Sequence, residues 1–184
     1  MYSLFTTLES RYLVCMDYNV DKDIRKARTL PSVFYKDVEL FNKISSLFKN
    51  HWHFATHKSS LTEHNIMPLS HIEQILNEPM ILTKQNNDYS CLSNVCTHRG
   101  MLICDEARSS TILKCGYHGR TFSLDGHFSN MPEFDEVIDF PTLDDNLTSF
   151  PLKDWKGLLF TGISLSDFQK YIYFLNHKLS WMPI

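Results

Sequence analysis

Two short segments of this chain carry side chains that are typical of metal ligands, with one thiol and one imidazole in each. Residues 96–100 read Cys-Thr-His-Arg-Gly and residues 115–119 read Cys-Gly-Tyr-His-Gly, which gives C-x-H, sixteen intervening residues and C-x-x-H. Two loops of this kind can face each other across a two-iron cluster, with both thiolates on one iron and both imidazoles on the other. We therefore predict an iron–sulfur site with mixed ligation. The four predicted ligands are Cys96, His98, Cys115 and His118.

Two other interpretations of these four residues remain open. Two cysteines and two histidines also form tetrahedral zinc sites, but the common zinc spacings pair Cys with Cys and His with His. Here each half of the pattern is mixed, which favours iron and sulfide over zinc. The four residues could also be ordinary core residues. Gly100 and Gly119 argue against that, because glycine lets the backbone N–H groups of a tight loop approach a cluster closely.

The composition limits the class of protein. The chain has 184 residues, 43% of them hydrophobic, and a formal net charge of −3, so it can form a sizeable core and shows no basic footprint for nucleic acid. No apolar run approaches about 18 residues, which argues against a membrane span, and the first residues lack the pattern of a secretory signal. Of the five cysteines, Cys15, Cys91 and Cys104 lie outside the predicted site. Free thiols suit a reducing cytoplasm, where we expect the protein.

Helices are predicted towards both ends of the chain. Residues 38–49 repeat apolar side chains at helical spacing after Asp37, a candidate N-cap, and we expect this helix to pack an apolar face on the domain. A second helix is predicted over residues 167–178, where Ser166 and Gln169 match the S-x-x-Q capping box. Because the sequence ends on apolar residues soon after this helix, we expect the chain to be a fragment of a longer protein.

Between these helices, from about Trp52 onward, the pattern changes to short strands. A polar turn at residues 85–88 and the dipeptide Asp125-Gly126 each predict a hairpin, and Trp155 is placed in a third turn. The predicted strands cover residues 79–84, 89–95, 111–114, 121–124, 127–129, 150–152 and 157–162. Many short strands with frequent turns predict a mostly β fold, an antiparallel sandwich or small barrel with the two ligand segments at one tip.

The sequence resembles the Rieske-type non-haem iron oxygenases, specifically the α (catalytic) subunit of the aromatic-ring-hydroxylating family. Residues 95–100 and 115–119 match the two cluster loops of that family. The other matching stretches are residues 30–35 with Phe41, Phe48 and Trp52, residues 124–126, residues 131–133 and residues 155–160. The resemblance runs from about residue 30 to the end and is most specific at the ligand segments.

This resemblance implies a Rieske-type antiparallel β-sandwich or small barrel whose four ligands hold a [2Fe–2S] cluster. It implies an N-terminal arm and helix over residues 1–50, the Rieske domain over 51–165, and the start of a truncated catalytic domain over 166–184. The missing domain would hold a mononuclear Fe(II), where O₂ oxidises an organic substrate. The implied partners are a ferredoxin or reductase that donates electrons and, in the full-length protein, further copies of the chain in a trimer-type oligomer.

Three departures from the family pattern affect this expectation. Arg120 stands where the family usually has tryptophan, which we interpret as a subgroup variant. Met101 and Tyr117 stand where high-potential respiratory Rieske proteins carry an extra, disulfide-linked cysteine, which favours the oxygenase or ferredoxin type and a low potential. Beyond the second ligand segment only His127 and His177 remain, and no D/N-x-x-H-x-x-x-x-H pattern follows for the mononuclear iron.

Two functions of different classes therefore stay open. The first is the electron-relaying half of an oxygenase α subunit, an oxidoreductase when full length, whose isolated fragment has no oxygenase activity. The second is a self-contained Rieske ferredoxin, which carries electrons and is not an enzyme. The helices before and after the predicted β domain favour the first function, because a minimal carrier has no need of them. A zinc-stabilised interaction module is a more distant third.

Overall fold

The computed structural model of the protein describes residues 19–163 and 167–182, and it divides into two compact units at the boundary between Ile44 and Ser45. The helices are α1 (Val38–Lys49), α2 (Ser70–Leu76), α3 (Phe168–Lys178) and three short 3-10 helices, Ser32–Lys36, Lys58–Leu61 and Leu143–Asp145. The strands are β1 (His53–His57), β2 (Ile66–Pro68), β3 (Met80–Gln85), β4 (Asp88–Ser93), β5 (Leu113–Lys114), β6 (Thr121–Phe122), β7 (Phe128–Asn130), β8 (Ser149–Phe150), β9 (Leu152–Trp155) and β10 (Leu158–Thr161).

The strands form three sheets in which every pairing is antiparallel. One sheet has the order β1-β10-β9, a second has the order β2-β3-β4-β8, and the third consists of β5, β6 and β7. This architecture, with α1 before the strands and α3 after them, confirms the predicted fold class. The residues between β4 and β5 and those between β5 and β6 include the two ligand segments, so the second and third sheets position the predicted site.

The hairpin turns follow from residues that tolerate a positive φ. In the β3–β4 hairpin Gln85 pairs with Asp88 across a two-residue turn, and Asn86 has φ +57°. The β9–β10 turn was predicted at Trp155, and this placement is wrong by one residue. Trp155 ends β9 as a buried side chain, and the turn consists of Lys156 and Gly157 at φ +53° and +88°. Positive φ at both central residues is the geometry of a type I′ turn, which matches the twist of the strands.

Helix α3 packs on the β1-β10-β9 sheet through an apolar cluster. Trp52, Phe160 and the α3 residue Phe168 are all buried in this cluster, and the Trp155 indole N–H donates to Asn176 Oδ1 on α3 at 2.7 Å. The residue that caps the helix is Asp167, whose carboxylate accepts from the Gln169 N–H at 2.9 Å. The predicted cap, Ser166, lies outside the described residues.

Helix α1 forms after Asp37 as predicted, and its residues are not buried. The Asp37 carboxylate accepts from the Leu40 N–H at 3.0 Å at the start of the helix, as expected of an N-cap. None of the helix residues is buried, and Val38 and Phe41 keep more than two thirds of their surface exposed. The apolar spacing therefore predicts the helix itself. Within the described stretches, no helix is both long enough and apolar enough to cross a membrane.

Candidate iron–sulfur centre

The first ligand loop follows β4 and closes on itself through backbone hydrogen bonds. The Cys96 N–H donates to the Met101 C=O at 2.9 Å, and the Gly100 N–H donates to the Cys96 C=O at 3.0 Å. Gly100 has φ +71°, a left-handed conformation that glycine adopts without steric cost. The loop is therefore a tight turn with Cys96 at its base.

The second ligand loop follows β5 and repeats this arrangement. The Cys115 N–H donates to the Arg120 C=O at 2.8 Å, the Gly119 N–H donates to the Cys115 C=O at 3.2 Å, and Gly119 has φ +75°. In both loops the cysteine N–H donates to the C=O of the residue five positions later, and the cysteine C=O accepts from the N–H of the glycine four positions later. The two segments thus form equivalent turns, although one carries its histidine two positions after the cysteine and the other three.

These loops bring the four predicted ligands together as two like pairs. Cys96 and Cys115 are both 2% exposed, belong to the same apolar cluster, and interact with each other through their thiols. The imidazole rings of His98 and His118 lie edge to face with their centroids 4.7 Å apart. His118 is exposed and His98 is half-buried. The thiol pair therefore lies in the core and the imidazole pair at the surface.

The protonation of these side chains suits metal ligation. His98 Nδ1 is buried and has no hydrogen-bond partner, which leaves its nitrogen available to a metal. Burial, the neighbouring His118 and two nearby arginines lower the pKa of His98, so its imidazole is neutral at pH 7. Burial also raises the pKa of the Cys96 thiol, and metals bind the thiolate, so binding would release this proton. The donor set therefore fits a two-iron cluster.

The four predicted ligands group as two like pairs, Cys96 with Cys115 and His98 with His118. Within residues 19–163 and 167–182, no three His, Cys, Asp or Glu side chains gather closely enough to hold one ion. A tetrahedral zinc site takes four ligands around one centre. A two-iron centre of mixed ligation instead takes two protein ligands on each iron.

A buried arginine joins the two ligand loops. Arg120 is 3% exposed and donates from Nη1 to Thr97 Oγ1 at 2.7 Å and from Nη2 to Asp145 Oδ1 at 2.6 Å. Thr97 Oγ1 in turn donates to the Asp145 C=O at 2.8 Å. The guanidinium carbon lies 5.1 Å from the ring centre of Phe128 and 5.4 Å from that of Phe140. Sequence reasoning noted Arg120 only as a replacement for tryptophan, and no local pattern indicates its distant partners.

The remaining described cysteines make other contacts, although Cys104 belongs to the same apolar cluster as Cys96 and Cys115. Cys91 belongs to a different apolar cluster, where the Thr161 hydroxyl donates to its sulfur at 3.3 Å and burial raises its pKa to about 12. Cys104 is buried and its thiol donates to the Glu106 C=O at 2.9 Å. Neither forms a disulfide. Cys15 lies outside the described residues.

A small antiparallel β domain that places C-x-H and C-x-x-H turns side by side belongs to the class of Rieske folds. The sequence matches the Rieske [2Fe–2S] domain family over residues 51–151, more than half of the chain. The chain is therefore a member of the Rieske [2Fe–2S] domain family.

Its relatives include oxygenase subunits. The chain is 27% identical over 142 residues to the carnitine monooxygenase oxygenase subunit of Escherichia coli (strain K12), which covers 76% of this chain and 37% of that protein. It is 29% identical over 171 residues to the chlorobenzene dioxygenase subunit alpha of Cupriavidus sp. (strain PS12), which covers 85% and 36%. The fold is similar to the crystal structure of a quaternary ammonium Rieske monooxygenase, with a TM-score of 0.71 and 20% identity over 84% of this chain and 44% of that one. The chain thus spans less than half the length of these relatives.

Proposed function

We propose that Cys96 and Cys115 bind one iron of a [2Fe–2S] cluster and that His98 and His118 bind the other. The observation that carries this proposal is the pairing of two buried thiols and two adjacent imidazoles on equivalent backbone turns. The mixed thiol and imidazole ligands in each half of the sequence pattern favour two irons over the single tetrahedral zinc that the sequence left open. When bound, such a cluster accepts and releases one electron at a time.

The protein supplies each pair of ligands with a different environment. Cys96 and Cys115 lie among buried apolar side chains, which exclude water from the sulfur ligands. His118 is exposed, and the ring of Tyr117, itself 59% exposed, lies 3.8 Å from the His118 ring between centroids. The imidazole pair is therefore the side of the site that a redox partner can approach.

We further propose that this domain relays electrons within an oxygenase α subunit. Support comes from the monooxygenase and dioxygenase subunits that the chain resembles over most of its length. In this proposal a ferredoxin or reductase donates the electrons, and the chains assemble as a trimer-type homo-oligomer. A mononuclear Fe(II) in the part of those relatives that this chain does not span would oxidise an organic substrate with O₂. The packing of α3 on the β1-β10-β9 sheet supports this function over that of a minimal ferredoxin carrier, which has no need of such a helix.

Metal and sulfide analysis tests the ligand assignment directly. The chain, purified without oxygen and reconstituted with ferrous iron and sulfide, should bind two irons and two sulfides and turn brown. The electron paramagnetic resonance spectrum of the dithionite-reduced protein should show a mixed-valent pair with nitrogen hyperfine coupling from two imidazoles. Colourless protein with one zinc per chain, or a cluster spectrum without nitrogen coupling, would refute the assignment.

A further inference from the structure

The arginine that joins the two ligand loops, Arg120, is enclosed by protein. Arg120 is 3% exposed, and it brings a positively charged guanidinium into the protein interior. A buried charge is costly unless it is paired and hydrogen-bonded. Here Thr97 and Asp145 accept from the two terminal nitrogens, while the buried Nε has no partner. A side chain held at this cost in a ligand site is a candidate for a function beyond packing.

Its position is next to the ligands of both loops. The backbone C=O of Arg120 accepts from the Cys115 N–H at 2.8 Å, at the base of the second loop. Its Nη1 reaches Thr97, the residue between Cys96 and His98 in the first loop. Arg120 therefore contacts a residue that is adjacent in sequence to Cys96 and His98, which are the proposed ligands of different irons.

The surroundings strengthen the field of this charge. The rings of Phe128 and Phe140 lie on the guanidinium and keep water from it. Electrostatic interactions are stronger where water is excluded, because the effective dielectric constant is lower. The counter-charge on Asp145 lies nearer to solvent, with 18% of its side chain exposed against 3% for Arg120. The carboxylate is therefore better screened than the guanidinium, and the pair keeps a net positive effect on the site.

We propose that Arg120 raises the reduction potential of the cluster by stabilising the charge that reduction adds. This inference rests on the proposed ligand assignment. Reduction brings one electron from a donor of the ferredoxin or reductase class, converts one ferric ion to ferrous, and adds one negative charge without making or breaking a covalent bond. A buried cation beside the ligands favours that state. The family that the sequence resembles usually has tryptophan at this position. Because tryptophan is neutral, replacing Arg120 with it should lower the reduction potential of the cluster.

The test compares potentials of reconstituted protein, measured by reductive titration followed in the visible spectrum. Arg120→Gln removes the charge but keeps a hydrogen-bonding amide, and it should lower the potential. Arg120→Lys keeps the charge and loses the planar fork, and its potential should stay close to that of the unaltered chain. Lys114→Gln removes an exposed cation beside Cys115, and this control should shift the potential much less than Arg120→Gln.

A fourth variant should shift the reduction potential in the opposite direction. Asp145→Asn removes the counter-charge while Arg120 keeps an acceptor, so the potential should rise. If Arg120→Gln assembles no cluster, the Asp145→Asn shift and the Arg120→Lys potential decide the question. Equal shifts in the Gln and Lys variants of Arg120, or a fall in Asp145→Asn, would show that Arg120 only holds the loops together. Failure of the unaltered chain to assemble a cluster would instead overturn the ligand assignment.

Discussion

The side-chain amide of Asn94 pairs with both backbone groups of Cys104. Its Nδ2 donates to the Cys104 C=O at 2.6 Å and its Oδ1 accepts from the Cys104 N–H at 2.9 Å. The backbone C=O of Asn94 also accepts from the Ile103 N–H at 3.0 Å, and the Asn94 side chain is 3% exposed. Asn94 precedes Cys96 by two residues, so these bonds fasten the two ends of the first ligand loop to each other.

Removal of this amide should weaken both the fold and the site. Asn94→Ala leaves the buried N–H and C=O of Cys104 without partners, and each such group costs about 1–3 kcal/mol. We expect the free energy of unfolding of the metal-free protein to fall by about 2–6 kcal/mol in urea titrations. Asn146→Ala is the matched control, because the half-buried Asn146 accepts one backbone hydrogen bond among the described residues, from Phe128, and its loss should cost less. Equal stability of the two variants would argue against the fastening role of Asn94.

The two glycines of the second ligand loop should respond differently to the same substitution. Gly119 has φ +75°, and an added Cβ would lie 3.3 Å from Pro132 Cγ, whereas a Cβ on Gly116 would have no atom within 4 Å. Gly119→Ala should therefore lower the free energy of unfolding by about 1–2 kcal/mol, the cost of a left-handed conformation. Gly116→Ala should leave it within about 0.5 kcal/mol. The comparison needs thermal or urea unfolding and the iron content of each variant, and a costly Gly116→Ala would contradict it.

Single substitutions should separate ligands from the other cysteines. Cluster assembly should be lost in each of four alanine variants, at Cys96, His98, Cys115 and His118. It should persist in Cys91→Ala and Cys104→Ala, because the first lies in another apolar cluster and the second bonds to the Glu106 backbone. The ratio of iron to protein after reconstitution gives the answer. A cluster that survives Cys96→Ala and disappears in Cys91→Ala would show that the loop assignment is wrong.

How far the sequence predicts this molecule depends on the range of the interactions involved. The two ligand segments and the β3–β4 hairpin are local patterns, and the structure forms a turn at each of them. Helix α2 was not predicted, because its seven residues make about two turns and its N-cap, Leu69, supplies no side-chain hydrogen bond. Helix α1 was predicted from the spacing of its apolar residues. Such spacing indicates a helix, but it does not identify which part of the protein packs on the apolar side chains.

The environment of the site was the least predictable part. Arg120 was visible in the sequence as a departure from the resembling family, yet its burial depends on aromatic side chains that follow it by eight and twenty residues. Its ion pair with Asp145 joins residues 25 positions apart, and the hydrogen bond to Thr97 spans 23 positions. Contacts at such separations are set by the three-dimensional packing of the loops, which no periodicity in the sequence encodes.

The thiol of Cys91 should be unreactive in the folded protein. Thiolates are the reactive form. Burial raises the pKa of Cys91 to about 12, and the side chain is 1% exposed. At pH 8 almost no Cys91 would be ionised, against about a quarter of free cysteines. Iodoacetamide labelling followed by mass spectrometry should therefore find Cys91 unmodified in native protein and fully modified in urea. Rapid native labelling would show that this core opens readily.

The same shift predicts how stability depends on pH. An unfolded cysteine ionises near pH 8.5, whereas Cys91 in the folded protein ionises only near about 12. The unfolded state therefore loses its proton first, and the stabilisation that the buried neutral thiol provides is complete below about pH 8.5 and declines as the pH rises towards 12. We expect the difference in free energy of unfolding between the unaltered chain and Cys91→Ala to be constant from pH 6 to 8 and to shrink from about pH 8.5 upward. Urea titrations of the metal-free proteins at matched pH measure this difference, and one that stayed constant through pH 10 would contradict the raised pKa.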